Sequence, residues 1–177
     1  GSSGAGATAK SQTHDIQVAV GELASTIAAS HPDGEQWMGN VTNDPSIQCD
    51  SFTANVYAQA GIGSIGGVDT SNSTINDSAF RAANAYHDVG DGYVPQNGDL
   101  VNFDHHVGIY DNGNVVSRQS SAGVHTASMT EAQGYFGPVR GYGSVAEATG
   151  GMTVTQTVDE VGKKIEDAAA KLAKAKD

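Results

Sequence analysis

The feature that most restricts the fold is a four-residue turn, Asp111-Asn112-Gly113-Asn114, set between two strand-like runs, "HHVGIY" and "NVVSRQ". Asn-Gly tolerates the positive φ that both central positions of a tight hairpin need, so the two runs are expected to pair antiparallel. The turn also sets the register: Tyr110 faces Val115, Gly108 faces Ser117 and His106 faces Gln119. Side chains alternate across a strand, which puts His106, Ser117 and Gln119 on one face and His105, Val107 and Arg118 on the other.

Around this hairpin the periodicity divides the chain in two. Downstream and upstream of it, "GDLVNF" and the runs near 124–129 and 139–142 read as further short strands of a small antiparallel sheet. Before them the period is helical. Ile16, Val20, Leu23 and Ile27 recur at spacings of four, three and four, and His31-Pro32 ends that helix. A second helix is expected over 50–60, with Phe52, Val56 and Ala60 as its buried stripe and Gly61 as its stop. Asp77 caps a third, running to about His87. Helices first and sheet second make an α+β domain.

Three segments follow from composition. Residues 1–14 are rich in Gly, Ser, Ala and Thr and read as a flexible leader. Residues 15–145 hold the folded domain. Residues 146–177 read as a linker, "EATGGMT", and an amphipathic helix in which Val158, Val161, Ile165, Ala168, Leu172 and Ala175 recur three and four apart. That helix either packs on its own domain or engages a partner or a second copy.

A length of 177 residues suffices for one real core, and a net charge of -11 argues against nucleic acid, whose phosphates need a basic stripe. No apolar run approaches the roughly 18–20 residues of a membrane span. The first ten residues carry no apolar signal core, so no secretory peptide is expected in this sequence.

The single cysteine, Cys49, falls at the start of the second helix. Unpaired N–H groups and the helix dipole there stabilise a thiolate, whereas an ordinary lone cysteine is a small buried apolar residue. A thiolate nucleophile also needs a base. His106 is the candidate, because the hairpin gives it Gly108 for close approach and polar neighbours on the next strand. The adjacent His105 points the other way, and the remaining histidines lack ligand spacing, so neither a metal nor an organic cofactor is expected.

Taken together, "QCDSFTANVYAQAGI", "VPQNGDLVNF", "HHVGIYDNGNVV" and "SSAGVHTASM" resemble, in that order, the NlpC-type cell-wall cysteine peptidases, over residues 36–130. The resemblance implies a papain-like fold in which the nucleophile helix packs on a small sheet that presents the histidine. It implies hydrolysis of amide bonds in the peptide stems of bacterial peptidoglycan. Matched residue by residue, Cys49 falls on the nucleophile and His106 on the base. The family's third polar residue falls on Ser117, while the hairpin register offers Gln119 for the same task. Trp37, Asp50 and His105 stand as candidate substrate contacts. The chain departs from the family where Gln48-Cys49-Asp50-Ser51 replaces Asp-Cys-Ser-Gly, placing a carboxylate beside the thiol. It also lacks the upstream tyrosine, with Trp37 in "EQWMGN" standing nearest.

The expected setting is a secreted hydrolase, or one delivered to the bacterial periplasm as an antibacterial effector of type VI kind or from a phage. An effector would have an inhibitory immunity protein as partner. Two alternatives use the same residues: a Cys–His acyltransferase or deamidase acting on protein, and an inactive domain that binds wall fragments.

Overall fold

In the computed structural model the described residues are 11–30, 49–119 and 123–157, with backbone alone described at 11–14, 30, 119 and 154–157. Strand β1 (Ser11–Asp15) runs directly into helix α1 (Ile16–Ser30). The periodic residues Ile16, Val20, Leu23 and Ile27 are all buried along one side of α1, as their spacing requires. Helix α2 (Cys49–Ala60) buries Phe52, Val56 and Ala60 together with Tyr57, and Gly61 at φ +106° stops it. Complete burial of a side chain such as Phe52 contributes about 1.5–3 kcal/mol, so this stripe fixes how α2 lies on the sheet.

Next come a small ribbon, β2 (Ser64–Ile65) with β3 (Val68–Asp69), and the short helix α3 (Asp77–Ala82). The cap of α3 is Asn76, whose side chain accepts from the Ser78 N–H, and the helix closes at Ala83. The expected helix over 77–87 is therefore too long. Asn84 takes a positive φ of 56°, and His87 belongs to strand β4 (Tyr86–Asp88).

The main sheet is antiparallel throughout. Strands β5 (Leu100–Asn102), β6 (Val107–Asp111), β7 (Asn114–Gln119), β8 (Gly123–Ser128) and β9 (Gly141–Gly143) join β4 in the order β4-β9-β5-β6-β7-β8. Asn112 and Gly113 take φ of 48° and 84°, and Tyr110 pairs with Val115, as the turn dictates. Two helices lie among these strands, α4 (Met129–Phe136) and α5 (Val145–Thr149). The last described strand, β10 (Thr153–Thr157), returns to pair with β1, Ser11 opposite Thr157.

The sheet is covered on both faces by different cores. Val107, Ile109, Val116 and Val124 pack with α1 and α2. Val101, Phe103, Val115 and Ala127 turn the other way and pack with Ala132 and Phe136 of α4. The architecture is α+β, helices against an antiparallel sheet. Two expected boundaries move. Residues 11–14, read as part of the leader, form β1, and residues 146–157, read as linker, supply α5 and β10. Pairing these two polar stretches with each other satisfies backbone groups that neither run could satisfy alone. The expected helix of the last twenty residues and Trp37 lie outside the described residues.

Candidate functional site

Cys49 is the first residue of α2, where the leading N–H groups of the helix have no partner within it. Asp50 organises this end of the helix. Its carboxylate accepts from the Ser51 N–H at 3.0 Å, and its carbonyl accepts from the Ile75 N–H at 3.0 Å and the Thr53 hydroxyl at 2.8 Å. Thr53, fully buried, donates also to the Ile75 carbonyl at 2.7 Å, so the loop before α3 is tied to the start of α2.

Cys49 is half-buried and opens onto a cleft of about 320 Å³. The cleft runs between the start of α2, the N-terminus of α3 and the β5–β6 connection, with Asp50, Asp77, Asp104, His105 and His106 in its walls. A cleft of this size suits a small peptide or sugar fragment. Burial pushes the Cys49 thiol up; the Val107 N–H, bonded to the sulfur, works against that, and the Asp50 carboxylate adds to it.

His106 sits just before β6 and turns toward the α4 side of the sheet. Its Nε2 and the Ser117 hydroxyl are 2.9 Å apart, and its ring lies flat on Phe136 with centroids 3.6 Å apart and planes 9° apart. Phe103 closes a third side at 6.1 Å. This apolar enclosure lowers the imidazole to about 4. Gly108 makes the arrangement possible, since a Cβ there would meet Val115 Cγ1 at 2.4 Å and Ser117 Cβ at 3.1 Å. The side chain of Ser117 is thus free to reach the imidazole across the strand pair.

The structure brings His106 and Ser117 into contact and sets Cys49, Asp50, His105 and His106 around one cleft. It does not join Cys49 to His106 by a hydrogen bond; the Nε2 partner is Ser117. Cys49 packs against the α1/α2 side of the sheet, His106 against the α4 side, and both reach the cleft at the sheet's end. At Gln119 the described backbone pairs with Gly123 of β8. His105 and Asp104 are exposed, and Asp104 is held by a bidentate contact from Arg140 at 2.7 and 2.8 Å.

Two residues at the site escaped the sequence. Phe136 lies on a helix that the strand pattern did not announce, although Ser128-Met129-Thr130-Glu131 is a capping-box pattern and the box forms. Arg118, expected only as a residue on the other face, is almost wholly buried. Among the described residues no cluster of three or more His, Cys, Asp or Glu side chains is arranged to hold a metal. No helix among them is long and apolar enough to cross a membrane.

The Asp of the Gly98-Asp99-Leu100 block has a structural task. Fully buried, Asp99 accepts from the Tyr93 hydroxyl at 2.6 Å, the Gln96 N–H at 2.9 Å and the Val145 N–H at 3.1 Å, which anchors α5 to the sheet. Burial raises this carboxyl to about 6 despite those donors. Compared with models of protein families and with curated proteins, the chain finds no match.

Proposed function

We propose that this chain is a papain-like cysteine hydrolase of NlpC type, cutting amide bonds in the peptide stems of bacterial peptidoglycan. The observation that carries the reading is one cleft shared by a thiol at a helix start and an imidazole held at 2.9 Å by a strand hydroxyl. With Nε2 facing Ser117, Nδ1 is the nitrogen left to take the thiol proton. The resting pair is neutral, because burial raises the thiol and lowers the imidazole. Proton transfer therefore accompanies attack instead of preceding it. The sulfur adds to the substrate carbonyl as its proton passes to His106. The oxyanion is held by N–H groups at the start of α2. The C–N bond then breaks, His106 returns the proton to the departing amine, and water hydrolyses the thioester.

Purified sacculi test the reading. Wild-type protein is expected to release stem peptides with new free amines, and Cys49→Ala to release none above background. Equal release by both proteins, or none by the wild type at any pH from 5 to 8, overturns it. A second reading, a wall-binding domain without turnover, draws support from the resting neutrality of both groups and from the ring of Phe136 lying over His106. Sedimentation separates the two: wild-type protein that pellets with sacculi yet releases no stem peptides favours the binding domain.

A further inference from the structure

His87 stands apart from the cleft and is held between two carboxylates. Its Nδ1 lies 3.3 Å from Asp91 Oδ2, and its Nε2 lies 2.9 and 3.0 Å from the two oxygens of Glu147. An ionised carboxylate only accepts hydrogen bonds, and a neutral imidazole has one N–H to give. Either neutral tautomer would set a ring lone pair against a carboxylate. Only the imidazolium, with an N–H on each side, answers both partners. The ring also lies flat on Tyr93, with centroids 4.0 Å apart and planes 5° apart, a surface that favours a cation. Asp91 is aimed by its own turn: its Oδ1 accepts from the Tyr93 N–H at 2.8 Å, which leaves Oδ2 for His87.

The three groups come from different elements: His87 from the edge strand β4, Asp91 from the turn after it and Glu147 from α5. A helix of five residues does not hold itself together in water, so α5 depends on its ties. Its Val145 N–H is bonded to buried Asp99, and Glu147 of its first turn is bonded to His87. We propose that His87 is a pH-sensitive clasp: as an imidazolium it bridges Asp91 and Glu147 and fastens α5 to the edge of the sheet, and on losing its proton it lets α5 loosen. Burial pulls the imidazole down, but the bonds to Glu147 and Asp91 outweigh it and hold the group above its ordinary 6.5. The contribution of the clasp is therefore complete below pH 6.5 and is lost as pH rises through the folded value. Around it, Tyr142 of β9 lies opposite in the sheet, and Asp99 sits behind Tyr93, bonded to its hydroxyl at 2.6 Å. Asp88, next along β4, is approached by Arg81 at 4.0 Å. Arg81 itself is held by Asp77 at 2.9 Å, and Arg140 by Asp104 at 2.7 Å, so both arginines at this end of the sheet are engaged elsewhere.

Two NMR measurements on the full chain from pH 6 to 8.5 test the clasp: the His87 ring titration and amide exchange in α5. The wild-type ring is expected to titrate above 6.5. The Ala148 and Gly151 N–H groups, bonded to the Ser144 and Ala146 carbonyls, should exchange about threefold faster once His87 is neutral, after correction for intrinsic pH dependence. In Glu147→Gln the ring midpoint is expected to fall back toward 6.5, and an unmoved midpoint overturns the proposal. In His87→Gln the acceleration should disappear, while His87→Arg, a permanent cation with a planar fork, should keep exchange slow across the range. A histidine with a merely structural role would leave exchange the same on both sides of its titration. That result, or a wild-type ring midpoint at or below 6.5, overturns the proposal. Should the variants not fold, these two wild-type measurements still decide.

Discussion

On the α1/α2 face of the sheet, Cys49 sits at a helix start beside a backbone amide; on the α4 face, His106 lies flat against Phe136 and leans on a hydroxyl. The same strands build both environments, because alternate residues of β6 and β7 point opposite ways. One face meets its ionisable group with a helix end and a backbone amide, the other with rings. Reactivity in such a molecule depends on what happens at the end of the sheet, where the two environments open into one cleft.

The largest expected effect separates the faces outright. Cys49→Ala should reduce release of stem peptides to background, a loss of at least about 10³-fold, while its urea midpoint stays close to wild type, as only a partly buried sulfur is removed. Loss of both activity and fold together would mean that Cys49 is a core residue.

Next is a pH effect of opposing signs. His106 falls from 6.5 to about 4 on folding, so between those values the unfolded chain binds more protons and stability rises with pH. Asp99 climbs from 3.8 to about 6, so between those values the folded chain binds more protons and stability falls with pH. Each term is on the order of 3 kcal/mol across its window and the two largely cancel between pH 4 and 6. His106→Gln should uncover a fall of about that size over this range, and Asp99→Asn a rise. Urea titrations at several pH values measure both; parallel profiles in wild type and His106→Gln would refute the enclosure of the imidazole.

Phe136→Ala should cost about 2 kcal/mol, since the ring is only partly buried, and should return the His106 ring-proton titration toward 6.5. An unmoved titration would show that Phe136 is not what depresses it. The smallest effect distinguishes the two candidates for holding His106. Ser117→Ala should lower kcat/KM about 10-fold, and Gln119→Ala by less than twofold, since the hydroxyl already occupies Nε2. The reverse ranking would reassign the role.

Much of the sheet was legible because one turn fixed it. Asn112-Gly113 determined the register of β6 and β7, and with it the contact between His106 and Ser117. Helices α1 and α2 announced themselves through apolar spacing that tertiary burial then used. What stayed hidden was short or polar. Helices α4 and α5 each start at a serine three residues before a glutamate, Ser128 with Glu131 and Ser144 with Glu147, and eight and five residues are too few to show a stripe. Strands β1 and β10 carry almost no alternation, so only their mutual pairing makes them strands. At the site, sequence identified the alternation that separates Arg118 from Ser117 but not how deeply Arg118 is buried, which tertiary packing decides.

The ribbon of β1 and β10 has a mechanical consequence. Ser11 lies opposite Thr157, so the described chain begins and finishes at the same corner. A force applied through residues 10 and 158 meets the ribbon from its open end and parts its rungs one after another, as a zipper opens. Only after the rung of Asp15 with Thr153 does tension reach the start of α1, where the Ile16 N–H still holds the Met152 carbonyl at 3.0 Å. A chain drawn through a narrow channel by either terminus would thus give way first where its backbone pairing is most easily undone.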